Sequence, residues 1–186
     1  MDSYTCLKNQ VFSQNEFKLV PIRYKDRFKI MQWRNEQIFH LRQDQPLTKS
    51  NQEKYFNNTI FKLFNENSPS QLLFSFLENN ICIGYGGLVH INWVDKHAEV
   101  SFIMKTSLEE EDFNKNWSNY LKLIERVAFS ELSLHKIFTY AFDLRPQLYE
   151  AIELCGFKQD AVLTDHCMID GEYKNVVLHS KFNSFN

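Results

Sequence analysis

Arg34, His40 and Arg42 fall within a short stretch of chain and offer three cationic or hydrogen-bonding heads. The planar fork of arginine suits phosphate, which it can hold by two parallel hydrogen bonds. Tyr85, Trp93 and several phenylalanines could add a stacking surface for a nucleobase. His90 has an unperturbed pKa suited to taking up a proton near neutrality, and Glu99 stands on the next strand-like run. Each residue also has a plainer reading. Arg34 could pair with an acid, Arg42 could be solvated, His90 could be structural, and Glu99 could ion-pair across a sheet. His97 and His135 precede strand-like runs and read as turn residues, whereas His166 and His179 lie on the last two runs, remote from the others.

The elements that must hold these side chains follow from hydrophobic spacing and turn residues. A strand is expected within Phe17–Arg23, then a helix over Lys25–Trp33. After Pro46, Thr48 offers a helix N-cap, and Tyr55, Phe56, Ile60, Phe61, Leu63 and Phe64 follow at near-helical spacing. The connection from Asn35 to Leu47 is long enough to carry function. Beyond the loop around Pro69, the runs Leu72–Glu78, Ile81–Asn92 and His97–Lys105 are separated by turn residues and read as an antiparallel meander. An amphipathic helix over Lys115–Leu132, a strand over Lys136–Phe142 and a helix opened by Pro146 and closed at Gly156 come next. Lys158–Ile169 and Tyr173–Lys181 flank Asp170-Gly171, a dipeptide suited to a type I′ hairpin. The order is β-α-α-β-β-β-α-β-α-β-β, an α+β class with one mixed, mostly antiparallel sheet and helices on both faces.

With 186 residues, 44% of them hydrophobic, the chain suits one domain over residues 1–186. A net charge of −2 argues against a general nucleic-acid binder. No apolar run approaches the roughly 18 residues of a membrane helix, and the polar start MDSYTCLKNQ lacks a signal peptide's apolar segment. A cytoplasmic location is therefore expected, with Cys6, Cys82, Cys155 and Cys167 reduced and mostly buried. Their scattered spacing gives no metal motif. Glycine is scarce: five residues, where average usage would give about 13. None lies between Leu88 and Cys155, which excludes a Gly-rich loop there.

The element order and a set of local sequences resemble the GNAT acyltransferase superfamily, in particular its aminosugar and ribosomal-protein N-acetyltransferase branch. The matching pieces are Trp33-Arg34-Asn35, Ile83-Gly84-Tyr85-Gly86-Gly87-Leu88, Ala98-Glu99-Val100-Ser101-Phe102-Ile103, Glu131-Leu132-Ser133-Leu134-His135-Lys136-Ile137, Cys155-Gly156-Phe157 and Asp170-Gly171-Glu172-Tyr173. The resemblance implies that acyl-CoA sits where two central strands splay apart, with backbone amides around Phe102, Ile103 and Met104 facing the thioester carbonyl. It implies acyl-CoA as co-substrate, with no tightly bound cofactor and no metal. It also places Glu99 beside the acceptor amine as a base, with His90 as the alternative, and Arg34, His40, Arg42 and Tyr85 on the acceptor side.

Two departures stand out. The superfamily's pyrophosphate loop is glycine-rich, whereas this chain reads EEEDFNKNWS there, so Lys115, Asn116 and Ser118 are the candidate donors, with Arg145 nearby. The tyrosine that often protonates the departing thiolate is replaced by Ile152, and Tyr149 is its candidate substitute. Leu41-Arg42-Gln43, Pro46-Leu47-Thr48 and Phe138-Thr139-Tyr140-Ala141-Phe142-Asp143-Leu144-Arg145-Pro146 are similar to GNAT-like proteins that acylate nucleotide-linked aminosugars for bacterial surface polysaccharides. The expected activity is thus acyl transfer, acetyl or longer, to the amine of a dTDP- or UDP-linked aminosugar by direct attack in a ternary complex. A protein N-terminal acetyltransferase and a non-catalytic GNAT-fold module are the alternatives. The expected partners are small molecules, with neither nucleic acid nor membrane, and a homo-oligomer is left open.

Overall fold

The computed structural model describes residues 2–184. Eight strands form one sheet in the order β1-β2-β3-β4-β5-β6-β8-β7. They are β1 (Phe12–Gln14), β2 (Phe17–Pro21), β3 (Leu72–Glu78), β4 (Ile81–Asn92), β5 (His97–Met104), β6 (Lys136–Phe142), β7 (Lys158–Ile169) and β8 (Glu172–Phe182). All neighbours are antiparallel except β5 and β6. The helices are α1 (Arg27–Glu36), α2 (Lys49–Tyr55), α3 (Phe61–Leu63), α4 (Leu108–Glu111), α5 (Phe113–Glu125) and α6 (Pro146–Glu153). A π-helical turn, Phe56–Ile60, joins α2 to α3, and another, Arg126–Glu131, extends α5.

The α+β class, the mixed sheet and the meander agree with the sequence reading. Asn79 and Asn80 both take positive φ (49° and 67°), as do Asp170 and Gly171 (51° and 82°), the geometry that a type I′ hairpin needs. Thr48 caps α2: its Oγ1 accepts from the Asn51 N–H at 3.1 Å while its own N–H donates to Asn51 Oδ1. Pro146 occupies the start of α6, where the missing N–H is harmless. Three elements differ. The expected first strand is preceded by β1, turned back at Asn15 (φ 52°). The short α4 was not expected, and α1 begins after a 3-10 turn at Tyr24–Asp26. Of the four free cysteines only Cys82 is buried, and the other three are half-buried.

The β5–β6 pair creates the opening in the molecule. The two strands are in register only over His97–Glu99 against Lys136–Phe138. Beyond that point β5 stays with β4 while β6 runs on with β8, so the strands part into a V. Successive side chains on a strand face opposite ways. Tyr85 on β4 therefore meets α1 through Arg34, while the adjacent Gly86 meets Tyr120 of α5. Helices thus lie on both faces.

The α5 face is aromatic. Phe102 stacks on Tyr120 with centroids 3.9 Å apart and meets Trp117 edge-on at 5.0 Å. Phe76 meets both Phe102 and Tyr120 edge-on. Each such fully buried side chain contributes about 1.5–3 kcal/mol. Gly86 makes the stacking possible, because a Cβ there would stand 2.1 Å from the Ser101 carbonyl oxygen and 2.6 Å from the Tyr120 hydroxyl. At Gly87 a Cβ would fall 1.8 Å from the Leu72 carbonyl oxygen. The glycines that the chain keeps in its centre serve close strand packing rather than a ligand loop.

Candidate active site

The V holds a cleft of about 440 Å³, walled by β5, β6, α5, the start of α6 and the chain after α1. Arg34, His40, Arg42, His90, Glu99, Phe102, Ile103 and Arg145 all line it. These residues come from five separate stretches of sequence, and the splayed strands bring them together.

Glu99 sits near the point where β5 and β6 diverge. Its side chain is buried, and the Arg42 guanidinium bonds to its Oε1. His90 Nε2 lies 3.8 Å from its Oε2, because a bulge in β4 puts His90 at φ 50°. Burial raises the Glu99 pKa, and the charges of Arg42 and His90 oppose that rise. Arg42 also stands over the Tyr140 ring, 4.7 Å from its centroid. Arg34 has no acidic hydrogen-bond or ion-pair partner among the described residues: its Nη1 donates to the Tyr85 hydroxyl at 2.6 Å and its Nε to Gln43 Oε1 at 2.9 Å. His40 is pushed down to about 3, chiefly by burial and then by the Arg145 and Arg34 charges, so its imidazole is neutral at physiological pH.

The backbone of β5 supplies a directed donor. Lys105 N–H donates across to the Ile83 carbonyl of β4 at 2.7 Å. Amide direction alternates along a strand, so the amides of Phe102 and Met104 face away from β4 into the V, whereas that of Ile103 faces β4. The Met104 carbonyl, on the open side, accepts from the buried Gln37 Nε2 at 2.8 Å. The Phe102 N–H is therefore the candidate donor to a thioester oxygen, and the Ile103 amide leaves the set expected from the sequence.

Two cleft residues that sequence reasoning did not select carry the clearest sign of a polar ligand. Trp117 Nε1 and Thr139 Oγ1 are buried and have no hydrogen-bond partner. Buried polar groups in folded proteins are overwhelmingly paired, and these two line the walls that would flank a pantetheine arm, whose amides are matching donors and acceptors. The cleft therefore fits the arm of CoA. A tryptophan at an apolar helix position reads as core, which is why the sequence concealed it.

The pyrophosphate end differs from the sequence expectation. Lys115 points away from the cleft, bonding Glu78 Oε1 at 2.9 Å and lying 5.4 Å from the Phe17 ring centroid. Asn116 is buried and Ser118 does not line the cleft. Of the basic residues expected there, Arg145 remains on the cleft wall, held by Glu109 at 3.1 Å. Glu109, Glu110, Glu111 and Asp112 crowd a shallow hollow beside the start of α5. Tyr149 lies outside the cleft as well: its hydroxyl donates to Asp143 Oδ1 at 2.9 Å and its ring stacks on His179. Trp93 donates to the Pro69 carbonyl, so its indole is engaged away from the cleft.

No helix among the described residues is long and apolar enough to cross a membrane. A spermidine N-acetyltransferase from Vibrio cholerae, in complex with CoA and spermine, superimposes with a TM-score of 0.77 at 20% identity, over 92% of this chain and 98% of that one. A dodecameric form of the enzyme from the same organism gives 0.76 at 21% identity, over 92% and 96%. At such identity the likeness establishes the fold. The family described as "Acetyltransferase (GNAT) domain" matches residues 19–178. The chain belongs to the GNAT acetyltransferase family and is an acyl-CoA-dependent N-acyltransferase.

Proposed function

We propose that the acceptor is anionic, and that the protein moves an acyl group from CoA to the amine of a dTDP- or UDP-linked aminosugar. The charge of the cleft carries this reading. Arg34, Arg42 and Arg145 face a single carboxylate, Glu99, among the described lining residues, with Glu109 behind Arg145. The structural neighbours act on spermidine and spermine, which are polycations at neutral pH. A polycation needs carboxylates around it, and this cleft presents guanidinium groups. A diphosphate suits them through bidentate bonding, and Tyr140 offers an aromatic face beside Arg42.

The chemistry follows from the same side chains. The neutral amine attacks the thioester carbonyl, a C–N bond forms, and the developing oxyanion faces the Phe102 N–H, a fixed dipole. The C–S bond then breaks and CoA leaves as thiolate, a good leaving group that needs no dedicated acid. Glu99 takes the proton released from nitrogen, directly or through a water. Holding both substrates in one cleft supplies much of the remaining acceleration.

Inhibition by free nucleotides tests the acceptor. UDP or dTDP should compete with the amine substrate and leave acyl-CoA binding unaffected. Competition by spermine, with indifference to both nucleotides, would overturn the proposal.

A further inference from the structure

A second cavity, of about 300 Å³, lies between α1, α2 and the sheet. It meets the transfer cleft at Arg34 and Ser101, which line both. Its walls are mainly apolar, with Ile22, Ile30, Phe56, Leu73 and Val89 among them. Arg34 is the one charged residue among the described residues that line it, and that guanidinium is already bonded to Tyr85 and Gln43. Three polar side chains at its edge are also engaged, and the Ser101 hydroxyl stands where the cavity meets the cleft. Gln71 donates to the Tyr55 hydroxyl at 3.1 Å, Gln52 to the Arg27 carbonyl at 3.0 Å, and Asn51 belongs to the cap of α2.

The contrast with the cleft is chemical. The cleft contains the buried, unpartnered polar atoms of Trp117 and Thr139, whereas no residue lining the second cavity contributes one among the described residues. Nothing in it calls for a polar ligand, and a cavity of that character favours an apolar one. It holds no carboxylate for an ammonium group, and its one cation, Arg34, stands at the boundary that it shares with the cleft. Its position adds the direction. Ser101 and Ile103 face the α1 side of β5, and Ser101 is next to the Phe102 amide where the thioester oxygen would sit. A chain continuing from that carbonyl past Ser101 enters the second cavity.

We propose that this cavity receives the alkyl tail of an acyl donor longer than acetyl, with the Arg34–Tyr85 pair as the wall between tail and acceptor. The inference rests on the assignment of the cleft as the acyl-CoA site, and it is independent of the acceptor's identity.

Calorimetry with acetyl-, butyryl- and hexanoyl-CoA, without any acceptor, tests it. Each added methylene buried should tighten binding by about fourfold, so butyryl-CoA, with two more, should bind about fifteenfold tighter than acetyl-CoA. A flat series, with acetyl-CoA still bound, would overturn the tail site and leave the cleft assignment standing. Failure of every CoA ester to bind would overturn both. Val89 and Leu47 both line the cavity, so Val89→Phe and Leu47→Trp narrow it. Either should reduce the hexanoyl-to-acetyl affinity ratio at least fivefold, and an unchanged ratio in both would place the tail elsewhere and overturn the proposal.

Discussion

The Arg42 guanidinium bonds the buried Glu99 carboxylate at the mouth of the cleft while its own side chain stays half exposed. On the proposed reading, Arg42 meets the incoming acceptor and Glu99 takes its proton. An anionic acceptor that engages Arg42 changes the field at Glu99 in the same act.

Glu99 must be ionised to accept a proton, so activity should fall as pH drops through its pKa. That pKa is raised by burial, which puts the acid limb of kcat/KM above the ordinary glutamate range. Arg42 opposes the rise, so Arg42→Ala should move the limb to higher pH. Glu99→Gln should lower kcat by about 10²–10³-fold, a usual worth of general-base catalysis, and abolish that limb. A pH–rate profile for the three proteins reads both effects.

The orphaned donors of the cleft make a prediction about CoA. Trp117→Phe and Thr139→Val should each raise KM for acyl-CoA by about 5–10-fold, the worth of one hydrogen bond to a ligand. Lys115→Ala should change it by less than about twofold, because Lys115 bonds Glu78 instead. Initial rates at varied acyl-CoA check the ordering.

Much of this was legible before the structure. Local chemistry fixed its own neighbourhood: Thr48 at a cap, Pro146 at a helix start, and Asn79-Asn80 and Asp170-Gly171 in tight turns. The cleft's cast was legible too, since Arg34, His40, Arg42, His90 and Glu99 all line it. Their pairings were not, because Arg42 and Glu99 are 57 residues apart and Lys115 and Glu78 are 37 apart. Such contacts depend on how the sheet is assembled and leave no local pattern. β1 escaped notice because three residues are too short for a periodic signal. The glycine-poor middle of the chain predicts an altered pyrophosphate end, and of the residues expected there Arg145 lines the cleft while Lys115, Asn116 and Ser118 do not.

His40 carries a stability prediction. Its folded pKa is lowered to about 3 from an unfolded value near 6.5. Between those values the unfolded chain binds more protons, so stability rises with pH across that window and is lost as pH falls. From pH 7 to pH 5 this residue alone accounts for up to about 2 kcal/mol of destabilisation. His40→Gln should therefore lose less stability than the wild type over that interval. Urea unfolding at the two pH values checks it, and equal losses would contradict it.

Gly86→Ala should destabilise the fold by about 3 kcal/mol or more, at the upper end of overpacking effects. The added methyl meets both backbone and the Tyr120 hydroxyl. Pairing it with Tyr120→Phe should recover only part of the loss, since the Ser101 carbonyl oxygen remains 2.1 Å away. Thermal unfolding of the two variants measures this.

Thiol release from one acyl-CoA, measured in parallel with UDP- or dTDP-linked aminosugars and with spermidine, tests the anionic-acceptor reading most directly. The arginine-lined cleft predicts a kcat/KM at least about 100-fold higher for a nucleotide aminosugar. Turnover of spermidine with none of any nucleotide aminosugar would contradict it.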